Sequence, residues 1–388
     1  MLKWSETQLE QAGAAITTKE IMQQPELWEE TLAIFEDKRT DLYQLLEDFQ
    51  QEAAQRIRVI FTGAGTSAYV GDVVRPHLIR YGDTDAYQFE SIPTTDIVAA
   101  PHDYLKGNQP TLLVSFARSG NSPESLAAVD LANKLVDNIR HLIITCAADG
   151  QLAVNSQGDT NRFVLLMPAR SNDKGFAMTG SFSCMTLATL LTFDQAHRNH
   201  SELVAGIVAM GNQALALEER VQTIVETDFD RVVYLGSGSL SGLTREAQLK
   251  LLELTAGKIA TVFDSSVGFR HGPKSFIDNR TIVFGFVSND AYTANYDLDV
   301  LEEIKEDGIA AKVTAIAQNT AGFSGDTLAL DSPTVIPDGF AALPFIIIGQ
   351  VAALLTSVKV ANKPDTPSPT GTVNRVVRGV VIHDLPVQ

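Results

Sequence analysis

An α/β protein made of two tandem copies of one unit, each a mostly parallel five-stranded sheet flanked by helices, is the fold class this sequence predicts. Three observations predict it. A short apolar strand over 59–62 runs into Gly63-Ala64-Gly65-Thr66-Ser67 and then into a helix-compatible stretch. A second strand, over 232–235, runs into Gly236-Ser237-Gly238-Ser239 and again into a likely helix former. Around both, short apolar runs alternate with amphipathic ones, the pattern of a parallel sheet covered on both faces in a doubly wound, three-layer sandwich.

Taken in order, residues 1–50 read as a peripheral helical segment. Thr17-Thr18-Lys19-Glu20 is expected to cap a helix that stops at Pro25. Pro25 then opens a helix over 26–32, and 42–53 continues helical. The first unit, 51–200, has strands at 59–62, around 87–89, and at 111–116, 141–146 and 162–167, with helices at 68–81, 123–135 and 179–193. A helical connector covers 201–228. The second unit, 229–362, has strands at 232–235, around 259–263, and at 281–287, 311–317 and 327–330, with helices at 243–254 and 297–306. Each unit places a Gly-rich loop at the carboxyl end of its first strand, so two candidate ligand crevices are expected at equivalent edges. Residues 363–388 form a Pro-rich tail, read either as a lid over the site or as a surface tail packed on the domain.

Composition narrows the function. Of 388 residues, 45% are hydrophobic and 20% charged, which describes a globular chain with room for two cores. A net charge of −17 with no Lys/Arg-dense run excludes a nucleic-acid binder. An anionic ligand must therefore be held by loop dipoles and a few cations. Cys146 and Cys184 make neither a disulfide framework nor a metal spacing and suit a reducing cytosol. The first ten residues lack the apolar core of a signal peptide, and a cytoplasmic location is expected. The apolar run 340–358 is nearly long enough to cross a bilayer, but it contains Pro344, Gly349 and Gln350 and has no second span beside it. A helix buried between domains or subunits is the expectation, and with it a dimer or larger assembly.

The loop 115–123 reads Ser-Phe-Ala-Arg-Ser-Gly-Asn-Ser-Pro, follows a strand and opens a helix. Serine hydroxyls and free N–H groups at a helix start suit the oxygens of a phosphate. With Gly65, Thr66 and Ser67 of the first loop, this second loop (Arg118, Ser119, Gly120, Ser122) forms a candidate phosphate cradle, unless these residues only make turns. In the second unit Glu246, Lys250 and Glu253 share one helix face. That face is either a solvated salt-bridge ladder or a buried acid–base set with a raised carboxyl pKa. His271 stands in Gly268-Phe269-Arg270-His271-Gly272-Pro273, a rigid turn where an imidazole can reach a ligand. The other six histidines (His77, His102, His141, His197, His200 and His383) are assigned to structure or surface. With no His/Cys/Asp cluster at ligand spacing, neither metal nor cofactor is expected.

These motifs resemble the SIS (sugar isomerase) domain family in tandem, over nearly the whole chain. The isomerase half of glucosamine-6-phosphate synthase reads SQSGET where this chain has ARSGNS over 117–122, and the family's EGxLKxxE is similar to the stretch from Glu246 through Lys250 to Glu253. The resemblance implies that Ser67, Ser119 and Ser122 bind phosphate, with Ala117 replacing a serine and Arg118 a glutamine. It implies that Glu253, beside Lys250, moves the proton between C1 and C2, and that His271 opens the sugar ring, often from a neighbouring subunit. Asp173 falls where relatives carry a glutamate near the substrate, and Arg378 near a lysine that contacts sugar and phosphate.

The sequence after Met1 exposes no N-terminal thiol and carries no glutaminase domain, so synthesis with ammonia from glutamine is not expected. The pairing of 253–258 (ELTAGK) and 269–275 (FRHGPKS) with Pro93–Asp96 and 119–125 looks most like AgaS-type enzymes of amino-sugar catabolism. The resemblance implies conversion of galactosamine 6-phosphate to tagatose 6-phosphate and ammonia, with no metal, on a small hexose phosphate as the sole partner besides a second copy of the chain. A tagatose-6-phosphate ketose/aldose isomerase without deamination is the alternative. A non-catalytic phosphosugar sensor would keep the serine loops but need neither Glu253 nor His271.

Overall fold

A computed structural model describes residues 1–320, 322–375 and 379–386, and both expected sheets form in it. The first contains β1 (Ile57–Thr62), β2 (Tyr87–Ser91), β3 (Thr111–Ala117), β4 (Ile139–Thr145) and β5 (Arg162–Leu166), in the order β2-β1-β3-β4-β5. The second contains β6 (Arg231–Gly236), β7 (Ala260–Ser265), β8 (Thr281–Phe286), β9 (Lys312–Gln318) and β10 (Asp326–Leu330). Its order, β7-β6-β8-β9-β10, is the same with the second copy's strands substituted. All pairs are parallel. β1 and β3 are buried at every residue, which explains why they read as continuous apolar runs rather than alternating ones.

The duplication is visible in the backbone. Gly65 (φ 58, ψ −130) and Gly238 (φ 57, ψ −126) turn the chain through the same left-handed corner. Each corner starts a helix of 16 residues, Thr66–Tyr81 and Ser239–Leu254. One apolar core runs through both halves, and smaller clusters cover the outer face of each sheet.

The N-terminal expectations need correction. Thr17 and Thr18 cap nothing; they are buried inside the helix Ala15–Met22. That helix is capped by Asp365 of the tail, whose carboxylate accepts from the Ile16 and Thr17 N–H groups at 3.1 and 2.8 Å. After Pro25 the chain makes a single 30-residue helix, Gln24–Ala53, rather than two. The connector breaks at Leu217 into His200–Ala216 and Glu218–Val225.

The apolar run 340–358 lies in the helix Asp338–Lys359, nearly all of it buried within this one chain. It packs against Ser239–Leu254, His200–Ala216, Thr66–Tyr81 and Gly180–Phe193, and so joins the halves. Its apolarity is accounted for inside the chain, and it no longer argues for a second subunit.

Candidate active site

β1 lies between β2 and β3, so the loops after β1 and β3 diverge at the point where strand order reverses, the standard crevice of a doubly wound sheet. Into it projects the helix Ser239–Leu254 of the other half. Lys250 is fully buried there, and its ammonium donates to Thr66 Oγ1 at 2.9 Å. The same ammonium pairs with Glu253 Oε2 at 2.7 Å and lies 3.4 Å from Glu246 Oε1. The ladder is therefore the buried set and not the solvated one. One hydrogen bond joins the Gly-rich loop of the first half to the carboxylates of the second.

The two carboxylates differ. Glu246 is wholly buried, and among the described residues neither oxygen makes a hydrogen bond, the Lys250 ammonium standing 3.4 Å from Oε1. Burial, reinforced by the charge of Glu253 and opposed by Lys250, pushes its carboxyl up to about 8. The Glu253 side chain is 22% exposed while its Oε2 is buried against Lys250, so it is the carboxylate that a substrate can meet. Burial works against the charge on Lys250, but Glu246 and Glu253 outweigh it and hold its pKa above the ordinary value. The arrangement is a buried candidate acid–base set with one accessible member.

The candidate anion loops have capacity to spare. Ser67 Oγ makes only a 4.0 Å contact with Met178 Sδ, and Ser119 Oγ accepts weakly from Asn121 N at 3.4 Å. Ser122 Oγ shares a hydrogen with Ser125 Oγ at 2.7 Å. Thr62 Oγ1 and Ser115 Oγ, paired in register on β1 and β3, are buried without a partner among the described residues. Gly120 (φ 68) lets the loop turn closely over Gly150.

Two assigned roles change. Arg118 does not present a free guanidinium. Buried at 7% exposure, it donates to the carbonyls of Phe176 (3.1 Å), Gly175 (3.4 Å) and Arg375 (2.6 Å). It ties the second loop to the 172–178 segment and the tail. Asp173 is wholly buried, and its carboxylate accepts from the Thr179, Gly180 and Ser181 N–H groups and from the Thr179 and Ser181 hydroxyls. It caps the helix Gly180–Phe193, and both oxygens are engaged, because an aspartate here is short enough to fold back on its own loop. Arg378 lies outside the described residues. Arg375, unremarked in the sequence, is the tail arginine that docks, donating from Nε to the Asp173 carbonyl at 3.0 Å.

Glu20, which the sequence reads as part of a helix cap, is instead buried within the helix Ala15–Met22. Its carboxylate accepts from the Lys174 and Gly175 N–H groups at 2.5 and 3.2 Å and props the 172–178 segment from below. Burial and then the charge of Asp173 push its carboxyl up to about 7, against those N–H groups and Arg118. An acid raised on folding adds stability below its unfolded pKa and loses it as pH rises through the folded value. Glu20→Gln keeps an acceptor oxygen, so its melting midpoint is expected to match the parent at about pH 4 and exceed it at about pH 8. A lower midpoint at the higher pH would refute this reading of Glu20.

The second half's own cradle is filled by its own acids. Asp297 accepts from the Ser237 and Ser266 hydroxyls and from Ser288 N (3.0 Å), and Asp338 from the Ser288 hydroxyl and Asn289 N (2.7 Å). Leu240 stands where the first loop has Ser67. Among the described residues the Ser237 hydroxyl of the second loop is thus taken by an acid, while Ser67 and Ser119 of the first half make only long contacts.

His271 is exposed in the turn after Gly268–Arg270. Its neighbours are anchored, Arg270 to Glu303 at 2.6 Å and Lys274 to Asp307 at 2.6 Å. Among the described residues no hydrogen bond or ion pair joins His271 to Glu253 or to the serine loops.

No family model matches the chain. The D-galactosamine-6-phosphate deaminase AgaS of Escherichia coli is 43% identical over 385 residues, covering 95% of each chain. The chain belongs to the AgaS galactosamine-6-phosphate deaminase family. An Escherichia coli tagatose-6-phosphate ketose/aldose isomerase superposes with a TM-score of 0.87 at 40% identity, over 96% of this chain and 97% of that one. The C-terminal domain of glucosamine-fructose-6-phosphate aminotransferase from Francisella tularensis superposes with a TM-score of 0.71 at 20% identity, covering 88% and 96%. That last likeness speaks for the fold alone, and the fold is the tandem SIS arrangement expected from the motifs. Within the AgaS family this chain is an enzyme with sugar-phosphate chemistry.

Proposed function

We propose that this chain converts galactosamine 6-phosphate and water to tagatose 6-phosphate and ammonia. The observation that carries the reading is the Thr66–Lys250–Glu253 junction, which sets an accessible carboxylate beside an open, hydroxyl-lined anion cradle. The phosphate sits on Ser67, Ser119 and Ser122 with backbone N–H groups about Gly65 and Gly120, and Arg118 holds that loop in shape. Glu253 takes the C2 proton of the open-chain amino aldose, giving a C1–C2 enaminol. Returning a proton to C1 leaves a C2 iminium; water adds there, and ammonia departs to leave the ketose. Lys250 fixes the Glu253 carboxylate and keeps the adjacent negative charge compensated.

Ring opening is assigned to His271. Because no hydrogen bond or ion pair joins it to Glu253 among the described residues, we place it in the site of a second copy. The exposed Phe263 and Val267 on and beside the edge strand β7 support a covered face there. The two buried, unpaired cysteines suit a reducing cytosol, where this reaction is placed.

The second reading, isomerisation without deamination, rests on the name of the Escherichia coli structural relative. A side-by-side assay of galactosamine 6-phosphate and glucosamine 6-phosphate, following ammonia and ketose phosphate together, separates the two. Equal amounts of ammonia and ketose from the galacto substrate are expected. Ketose without ammonia, from non-amino aldose phosphates alone, would establish the plain isomerase, and no product from any hexose phosphate would remove both.

A further inference from the structure

The duplication leaves a second crevice. The helices Thr66–Tyr81 and Ser239–Leu254 pack on each other about an approximate twofold, with matched positions Asp72 and Arg245 paired at 3.1 Å. Gly242 permits this closeness, since a Cβ there would lie 2.6 Å from the Asp72 backbone. Counting along each helix from its glycine corner, His77 occupies the position of Lys250 and Arg80 that of Glu253. Where Lys250 faces the first Gly-rich loop, His77 and Arg80 face the second. They border a cavity of about 500 Å³ with Gly238, Ser239, Asn289 and His197.

This crevice has different chemistry from the first. Its anion cradle is already occupied by Asp297 and Asp338, so a phosphate is not the ligand that fits. At the position of the lysine ammonium there is instead an imidazole. His77 Nε2 lies 2.6 Å from Asp194 Oδ2, and His197 Nδ1 lies 2.8 Å from the same oxygen. All three atoms fall within 4.8 Å of one another. The other Asp194 oxygen accepts from the Ala196 and His197 N–H groups at 2.7 and 2.9 Å, which fixes the carboxylate with Oδ2 toward both rings. Asp290 and Asp338 also line the cavity, Asp290 paired with Arg80 at 2.9 Å and Asp338 holding Ser288 and Asn289.

We propose that His77, Asp194 and His197 are a divalent transition-metal site of the zinc class, opening on the second crevice. Two imidazoles and one carboxylate are a donor set that zinc and its first-row neighbours take, with water from the cavity in the remaining position. The sequence gives no sign of it, because His77 is 117 residues from Asp194 and the expected absence of a cluster at ligand spacing considered only neighbours along the chain. The competing description is a metal-free His–Asp–His tie, with protons where the ion would be.

Full-length protein, stripped with chelator and titrated with cobalt(II) and then zinc, distinguishes them. One metal per chain is expected, with the visible absorption of low-coordinate cobalt and its displacement by zinc. His197→Ala, at the most accessible ligand, is expected to weaken binding more than about a hundredfold, beyond what an outer-shell change typically costs, while circular dichroism stays native. No cobalt absorption and no retained zinc in the parent protein would overturn the proposal. So would metal binding undiminished in both His197→Ala and Asp194→Asn.

Discussion

Glu253→Gln is expected to lower kcat for the amino-sugar phosphate by about 10²–10⁴-fold, the range for losing a positioned general base. KM should move little, because the amide is isosteric and the anion cradle belongs to the other half of the chain. The argument rests on access. Glu246, Lys250 and Glu253 share one helix face, yet only Glu253 combines a hold on the ammonium with exposure to the crevice. Glu246 is sealed, with its carboxyl pushed up to about 8. Loss of solvent-deuterium uptake at C1 of the product, together with retained phosphosugar binding by calorimetry, checks the assignment. Turnover close to the parent's would remove Glu253 from the mechanism.

Lys250→Met is expected to destabilise the fold by about 3–5 kcal/mol, the usual cost of removing one partner of a buried ion pair. The methionine fills much of the volume, so the loss is electrostatic: Glu253 Oε2 and Thr66 Oγ1 lose their partner while Glu246 remains buried beside them. Adding Glu246→Gln removes a buried carboxyl and is expected to recover part of the stability but none of the activity. Denaturant midpoints and kcat on the single and double variants test this. A single variant as stable as the parent would refute a net stabilising role for the Lys250 ammonium.

Several features were legible along the chain because their causes are local. Glycine corners at 65 and 238 appear as Gly-rich loops after apolar strands, and strands buried on both faces read as uninterrupted apolar runs. The pattern at Glu246, Lys250 and Glu253 is set by helical spacing. Capping by a distant side chain leaves no such trace. Asp365 caps the helix at Ala15 across most of the chain, so the hydroxyls of Thr17 and Thr18 were a false signal. Arg118 looked like a phosphate ligand because its loop does; only in the folded chain do its donors meet three carbonyls. Asp173 likewise turned out to be held by its own loop.

From residue order alone followed the doubled α/β architecture, the family resemblance, and the candidate serine loops and candidate acid–base helix, since each depends on short-range periodicity or glycine geometry. Tertiary structure decided which loop stays open for an anion, which carboxylate meets solvent, and that two histidines and an aspartate converge on a second crevice. Those outcomes depend on burial and on contacts between residues more than a hundred positions apart, and neither is encoded in local spacing.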